Sequence, residues 1–69
     1  TIINYIIIDQ NDHTIGKVKE VLKIPNNELI QTYIDDKEVL IPYSKANIIE
    51  IDKTKKTIKL EIADGLLDI

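Results

Sequence analysis

The residues of this chain that could do acid–base or metal chemistry are few, and they fall in turns. Asp9, Asp12 and His13 lie within one short segment, and carboxylates beside the only histidine are the donor types of a weak metal site. Nucleophilic and metal chemistry both need further partners around such a histidine. The run Gln10-Asn11-Asp12-His13 reads more simply as a solvated turn. Asp35, Asp36 and Glu38 form a second acidic group. Paired carboxylates can act as general acid and base, but only where a pocket separates their pKa values, and a hairpin tip offers none. Gly16 and Gly65 are the only glycines, so no glycine-rich phosphate loop exists. No catalytic, cofactor-binding or metal-ligating set is predicted, and the expected chemistry is binding.

The residues that could hold a partner are different ones. Lys53, Lys55 and Lys56 share one turn, where they could touch RNA phosphates or simply keep a hairpin tip soluble. Lys17, Lys19 and Lys23 would line the outside of one strand, where charge protects an edge. Tyr5, Tyr33 and Tyr43 are the only aromatics. Each can sit in a core with its hydroxyl at the surface. Tyr43, in a connection after Pro42, is the best placed for an exposed contact. Leu66, Leu67 and Ile69 form an apolar tail that either docks a partner or caps the open end of a core.

Bulk composition narrows the partners. The chain has 69 residues, enough for one domain. A domain this small buries only about 60% of its unfolded surface, leaving little room for an enclosed pocket. The hydrophobic share of 43% is almost all Ile, Leu and Val, which suits a folded chain rather than a disordered one. There is no cysteine, which excludes disulfides and thiolate metal sites. No apolar run approaches the roughly 18 residues of a membrane helix. The start at Thr1, with no Met anywhere, reads as a fragment excised from a longer protein. Net charge is -3 and all nine basic residues are Lys. Without Arg, the bidentate contacts to guanine edges and phosphate are missing.

The elements that must position these residues are strands. β-branched residues dominate, and turn signals recur every 8 to 12 residues. Strands are predicted over 2–9, 15–24, 29–35, 38–42, 48–52 and 57–62. In the second, Val18 and Leu22 would share a face with Glu20, a conflict that a bulge near Lys19-Glu20 removes. Asn26-Asn27 and Asp36-Lys37 are the predicted tight turns. Residues 43–47 are read as a single helical turn. In the last strand Ile58, Leu60 and Ile62 face one way, and Thr57, Lys59 and Glu61 the other. Six short strands with brief connections predict an all-β fold, a small barrel or a curled sheet.

Three segments carry a resemblance. Val39-Leu40-Ile41-Pro42-Tyr43 is followed by Ile48-Ile49-Glu50-Ile51-Asp52, and the chain ends in Gly65-Leu66-Leu67-Asp68. With Ile15-Gly16-Lys17-Val18-Lys19-Glu20-Val21 ahead of them, these segments resemble the C-terminal PRC-barrel domain of the RimM family of bacterial ribosome maturation factors, across nearly the whole chain. Two departures are visible: Asn4 stands where the family usually has Gly, and Ala63-Asp64 where it often has Pro-Glu. The resemblance implies a six-stranded PRC-type β-barrel with short helical turns after the fourth strand and at the C-terminus. It implies one domain over 1–69, cut from a two-domain protein whose N-terminal domain is missing here, and a cytoplasmic location. It also implies a non-enzymatic, chaperone-like role in 30S subunit assembly and 16S rRNA processing. The implied partner is a ribosomal protein of the small-subunit head, with a weak 16S rRNA backbone contact and no membrane. The residues expected to meet partners are Tyr43, Lys53, Lys55, Lys56, Leu66 and Leu67. The competing readings are a generic PRC-barrel interaction module and a small RNA-binding barrel.

Overall fold

The computed structural model describes residues 1–63, 65 and 66. These residues form seven strands: β1 (Ile6–Ile8), β2 (Thr14–Lys17), β3 (Glu20–Ile24), β4 (Asn27–Ile34), β5 (Lys37–Pro42), β6 (Ile48–Asp52) and β7 (Thr57–Leu60). They make two sheets, one ordered β2-β1-β7-β6 and the other β3-β4-β5. All pairings are antiparallel except β1 with β7, which run parallel. The all-β expectation holds. The closed six-stranded barrel does not: hydrogen bonding stops at the edges of the two sheets, which face each other across one core.

The extra strand comes from a corner. The segment expected as one bulged strand over 15–24 breaks at Val18-Lys19. Val18 N–H donates to the Tyr5 carbonyl at 2.9 Å, and the Val18 carbonyl accepts from Asn4 N–H at 2.8 Å. One residue later, Lys19 N–H donates to Gln31 of β4 at 2.8 Å. The backbone thus passes its hydrogen bonds from one sheet to the other, and Glu20 is exposed without a bulge.

The buried face of the corner is tight. Thr32 of β4 is the buried polar side chain among the described residues, and its hydroxyl donates to the Lys17 carbonyl at 2.7 Å. A Cβ on Gly16 would stand 2.8 Å from the Thr32 hydroxyl oxygen. Glycine lets β2 approach β4 closely enough for the bond to form.

The core is drawn from both sheets: Tyr5, Ile7, Val18, Ile30, Val39, Ile41, Ile58, Leu60 and Ile62. Alternation places them. Ile30 opposes Ile41 and Thr32 opposes Val39 on the inner face of β4 and β5. In the last strand Ile58, Leu60 and Ile62 are buried as expected. Ile62 lies beyond β7, where the Gln10 amide side chain replaces a strand partner: Nε2 donates to the Ile62 carbonyl at 3.0 Å, and Oε1 accepts Ile62 N–H at 2.9 Å.

Turns correct the predicted boundaries. The first strand shortens to Ile6–Ile8 because Tyr5 N–H folds back on the Ile2 carbonyl at 2.9 Å. That turn puts Asn4 at φ 72°, a left-handed conformation that Gly and Asn tolerate best. The β4–β5 turn is Asp35-Asp36, one residue earlier than expected, with φ of 51° and 66°. Two positive values suit a primed hairpin turn, in which Asp is well tolerated. Pro25 and Asn26 (φ 67°) form the β3–β4 turn, so Asn27 already belongs to β4.

The helical turns are not formed. Around 43–47 the chain makes one hydrogen-bonded turn and no helix: Asn47 and Ile48 N–H both donate to the Ser44 carbonyl, at 3.1 and 3.0 Å, while the Asn47 side chain accepts from Ser44 N–H at 2.8 Å and donates to the Pro42 carbonyl. At the C-terminus, Leu66 N–H reaches the Ala63 carbonyl at 3.2 Å around Gly65 at φ 84°, a reverse turn and not a right-handed helical one. Asp64 and residues 67–69 lie outside the described residues.

Two substitutions test the corner. Gly16→Ala is expected to cost about 1–3 kcal/mol, the usual range for overpacking. Thr32→Val, which keeps the shape but loses the bond to Lys17, is expected to cost about 1 kcal/mol. Urea unfolding measures both. Equal stability of Gly16→Ala and the parent chain contradicts the tight corner.

Candidate partner-binding groove

Several sequence candidates converge where the two sheets part. A groove of about 590 Å³ opens there, lined by Thr1, Ile2, Tyr5, Ile51 and Lys53 from β1, β6 and the residues next to them, and by Val21, Lys23, Glu28 and Tyr43 from the β3-β4-β5 sheet and its end. A second hollow of about 690 Å³ lies against the β3–β4 turn and the end of β5, lined by Lys23, Ile24, Asn26, Asn27, Glu28, Leu29, Pro42, Tyr43 and Ser44. Tyr43 borders both.

The position of Tyr43 follows from the chain on either side. Its N–H donates to the Glu28 carbonyl at 3.0 Å, extending the β4–β5 ladder by one bond past Pro42. Its ring is half-buried against the core cluster. An anchored ring with a polar tip is a low-entropy contact, the kind enriched at binding hot spots. Of the other tyrosines, Tyr5 is core and lines the groove floor, while Tyr33 is 50% exposed.

The lysine turn is built by Asp52. Its Oδ1 accepts from Thr54 N–H at 3.0 Å and from Lys55 N–H at 2.8 Å. Lys56 closes the turn at φ 56°, and its carbonyl accepts Ile6 N–H at 3.0 Å. Lys53 reaches the groove beside Tyr43; Lys55 and Lys56 are exposed outside it. Lys23 stands opposite Glu28 at the groove mouth. The groove is therefore apolar in its walls, with charges of both signs at its rim.

Leu66 is half-buried and packs on the core, so it caps the interior. Leu67 lies outside the described residues. Sequence reasoning missed Ile51: its strand was predicted, but its 36% exposure at the groove is set by the opening between the sheets, which no local pattern encodes.

The acidic candidates have other work. Asp9 Oδ1 accepts N–H bonds from Asn11 and His13, each at 2.9 Å, and shapes the turn. Asp12 pairs with Lys59 at 2.7 Å. Among the described residues no three His, Asp or Glu side chains converge as metal ligands. The N–H of His13, with that of Asn11, holds the Asp9 carboxyl below its ordinary pKa. The hydrogen bond from Asp12 holds the Lys59 ammonium above its own.

Two facing sheets, joined at one corner and parted at a groove, make a small barrel-like all-β domain. A family model described as the RimM PRC barrel domain matches residues 1–66. The chain belongs to that family. It is 40% identical over 63 residues to the ribosome maturation factor RimM of Bacillus licheniformis, covering 90% of this chain and 36% of that protein. It is 38% identical over 63 residues to the RimM of Carboxydothermus hydrogenoformans, covering 90% of this chain and 37% of that one. A crystal structure of a 16S ribosomal RNA processing protein RimM from Pseudomonas aeruginosa superposes with a TM-score of 0.79 at 21% identity, over 90% of this chain and 41% of the other, and shares its fold. The chain thus spans well under half the length of these relatives.

Asp9 gives a pH prediction. A carboxyl whose folded pKa is depressed stabilises the fold above its unfolded value, about 3.9, and this contribution is lost as pH falls through the folded value. Acid unfolding of Asp9→Asn is expected to show a weaker pH dependence below about pH 4 than the parent chain. Superimposable acid titrations contradict the role given to Asp9.

Proposed function

We propose that this chain is the barrel module of a factor that assists 30S subunit assembly and 16S rRNA processing, and that it acts by binding and not by catalysis. The family match over residues 1–66 carries this reading. The Tyr43 groove supports it, because a half-buried ring between two hollows offers a protein partner a preformed socket. The partner in this reading is a ribosomal protein of the small-subunit head.

The mechanism is differential binding. A ligand shifts an equilibrium only by as much as its affinities for the two states differ. The module would bind an immature head conformation more tightly than the mature one, and each tenfold preference supplies about 1.4 kcal/mol toward the state it holds. Release on maturation needs no chemical step. The RNA-binding reading rests on Lys53, Lys55 and Lys56, which are exposed and, among the described residues, free of ion pairs. A net charge of -3 limits it to an accessory contact.

Co-sedimentation of the tagged protein with purified immature and mature small subunits tests both readings. Enrichment on immature subunits is expected, and Tyr43→Ala is expected to weaken it by at least tenfold, as at binding hot spots. Changing Lys53, Lys55 and Lys56 together to Gln is expected to keep most of the affinity and to flatten its log–log salt dependence by no more than about 2–3 units. Equal binding to the two subunit forms contradicts the assembly role. Loss confined to the lysine variant favours RNA.

A further inference from the structure

One tyrosine and two lysines stand outside both the core and the Tyr43 groove. Tyr33 is 50% exposed, at the opposite end of β4 from Glu28, the backbone partner of Tyr43. It borders a hollow of about 230 Å³ at the corner where the chain changes sheets, lined also by Asn4, Lys17, Val18, Lys19 and Thr32. Val18 and Thr32 are fully buried at its base. Lys17 and Lys19 flank Val18 in sequence, so the inward turn of Val18 sends both lysine side chains outward, and both are exposed. Neither pairs with a carboxylate among the described residues. The Lys17 carbonyl accepts the Thr32 hydroxyl at 2.7 Å, and Lys19 N–H is tied to the Gln31 carbonyl at 2.8 Å. Both side chains therefore project from fixed backbone, which lowers the entropic cost of binding.

The hollow combines three recognition elements. An exposed tyrosine ring is a stacking surface for a nucleobase. Two ammonium groups beside it bind phosphate as point charges. The Asn4 amide both donates and accepts, as a base edge or a ribose hydroxyl requires. Charge then selects the kind of phosphate. A terminal phosphomonoester carries about -1.5 to -2 charge near pH 7, which two lysines match. A phosphodiester within a strand carries a single negative charge, and its neighbours extend past the lysines. There they meet carboxylates: Glu20 follows Lys19, Glu38 stands opposite Tyr33, and Asp35-Asp36 form the turn beyond it. The acidic margin repels a longer polyanion. The hollow is also smaller than a drug-sized pocket, and takes one base and not a row of them. An acidic peptide would engage the lysines but leave the ring and the amide unused.

We propose that the corner hollow binds one 5′-phosphorylated purine nucleotide, its base stacked on Tyr33 and its terminal phosphate between Lys17 and Lys19. A purine offers the larger stacking face. The same chemistry is carried by a free nucleoside monophosphate and by the 5′ end of a cleaved RNA. The site is separate from the Tyr43 groove, and occupancy of one does not require occupancy of the other.

The test is an amide-resolved NMR titration with AMP, adenosine, inorganic phosphate, and a purine trinucleotide carrying either a 5′-phosphate or a 5′-hydroxyl. AMP, the 5′-phosphorylated trinucleotide, or both are expected to shift Asn4, Lys17, Lys19 and Tyr33. Their binding is expected to be at least fivefold tighter than that of adenosine, phosphate or the 5′-hydroxyl strand. Saturation by AMP alone makes the ligand a free nucleotide; saturation by the phosphorylated strand alone makes it an RNA end. Tyr33→Ser is expected to reduce nucleotide affinity to the level of phosphate, and Tyr33→Phe to retain it. Lys17→Gln combined with Lys19→Gln is expected to reduce it to the level of adenosine. These side chains are exposed, and retained amide dispersion in each variant shows that the fold is intact. No shift at these residues with millimolar AMP or phosphorylated strand overturns the proposal. So does phosphate or adenosine binding as tightly as AMP, or a 5′-hydroxyl strand binding as tightly as the phosphorylated one. Unchanged nucleotide affinity in the serine and double-glutamine variants overturns it as well.

Discussion

The architecture depends on one close approach. Two small sheets can enclose a core only if a strand leaves one and enters the other without stranding its polar backbone. Here the transfer takes place between Val18 and Lys19, whose N–H groups bond to different sheets. The Thr32 hydroxyl fastens the corner by bonding to the Lys17 carbonyl from a fully buried position. Gly16 leaves the space for it. With the corner fixed, the inner faces of β4 and β5 meet Ile7, Val18 and the inner face of β7 across a single interior. The sheets then diverge at the far end, and that divergence is the groove beside Tyr43.

The groove and the exposed Ile and Leu side chains are both consequences of smallness. Seven short strands cannot bury all the Ile and Leu that the sequence carries. The interior takes those that alternate inward. The surplus emerges at the open end as Ile51, and on the outer sheet face as Ile24 and Leu40. The turn acids, by contrast, are spent on structure: Asp9 and Asp52 accept backbone N–H groups, and Asp12 pairs with Lys59.

The strands were legible where alternation was strong and local. Thr57–Leu60 and Lys37–Pro42 fall within or close to their predicted limits because period-two patterning sets them directly. The division of residues 15–24 between two sheets was not legible. Val18 and Leu22, expected on one face, fall on different faces, because the hydrogen-bonding partner changes from Tyr5 to Gln31 between Val18 and Lys19, a long-range fact. The Asn4 departure from the family pattern had a physical reading available, since a left-handed residue there can be Asn as well as Gly. At 43–47 the chain makes a single turn on the Ser44 carbonyl and goes no further, because Ile48 already pairs with Leu60 in β6. Of the candidate contacts, Tyr43 and Lys53 meet in one groove, whereas Lys55 and Lys56 do not join them and Leu66 turns to the core. Proximity in sequence placed all three lysines together; only the Asp52 turn decides which of them reaches the groove.

In the role proposed above, the open end between the two sheets docks an immature small subunit. Hydrogen–deuterium exchange of the protein, free and bound to immature subunits, tests it most directly. The account predicts slowed exchange at residues 1–5, 21–28, 43 and 51–53 in the complex. Unchanged exchange at all of these positions in a demonstrably bound protein contradicts it.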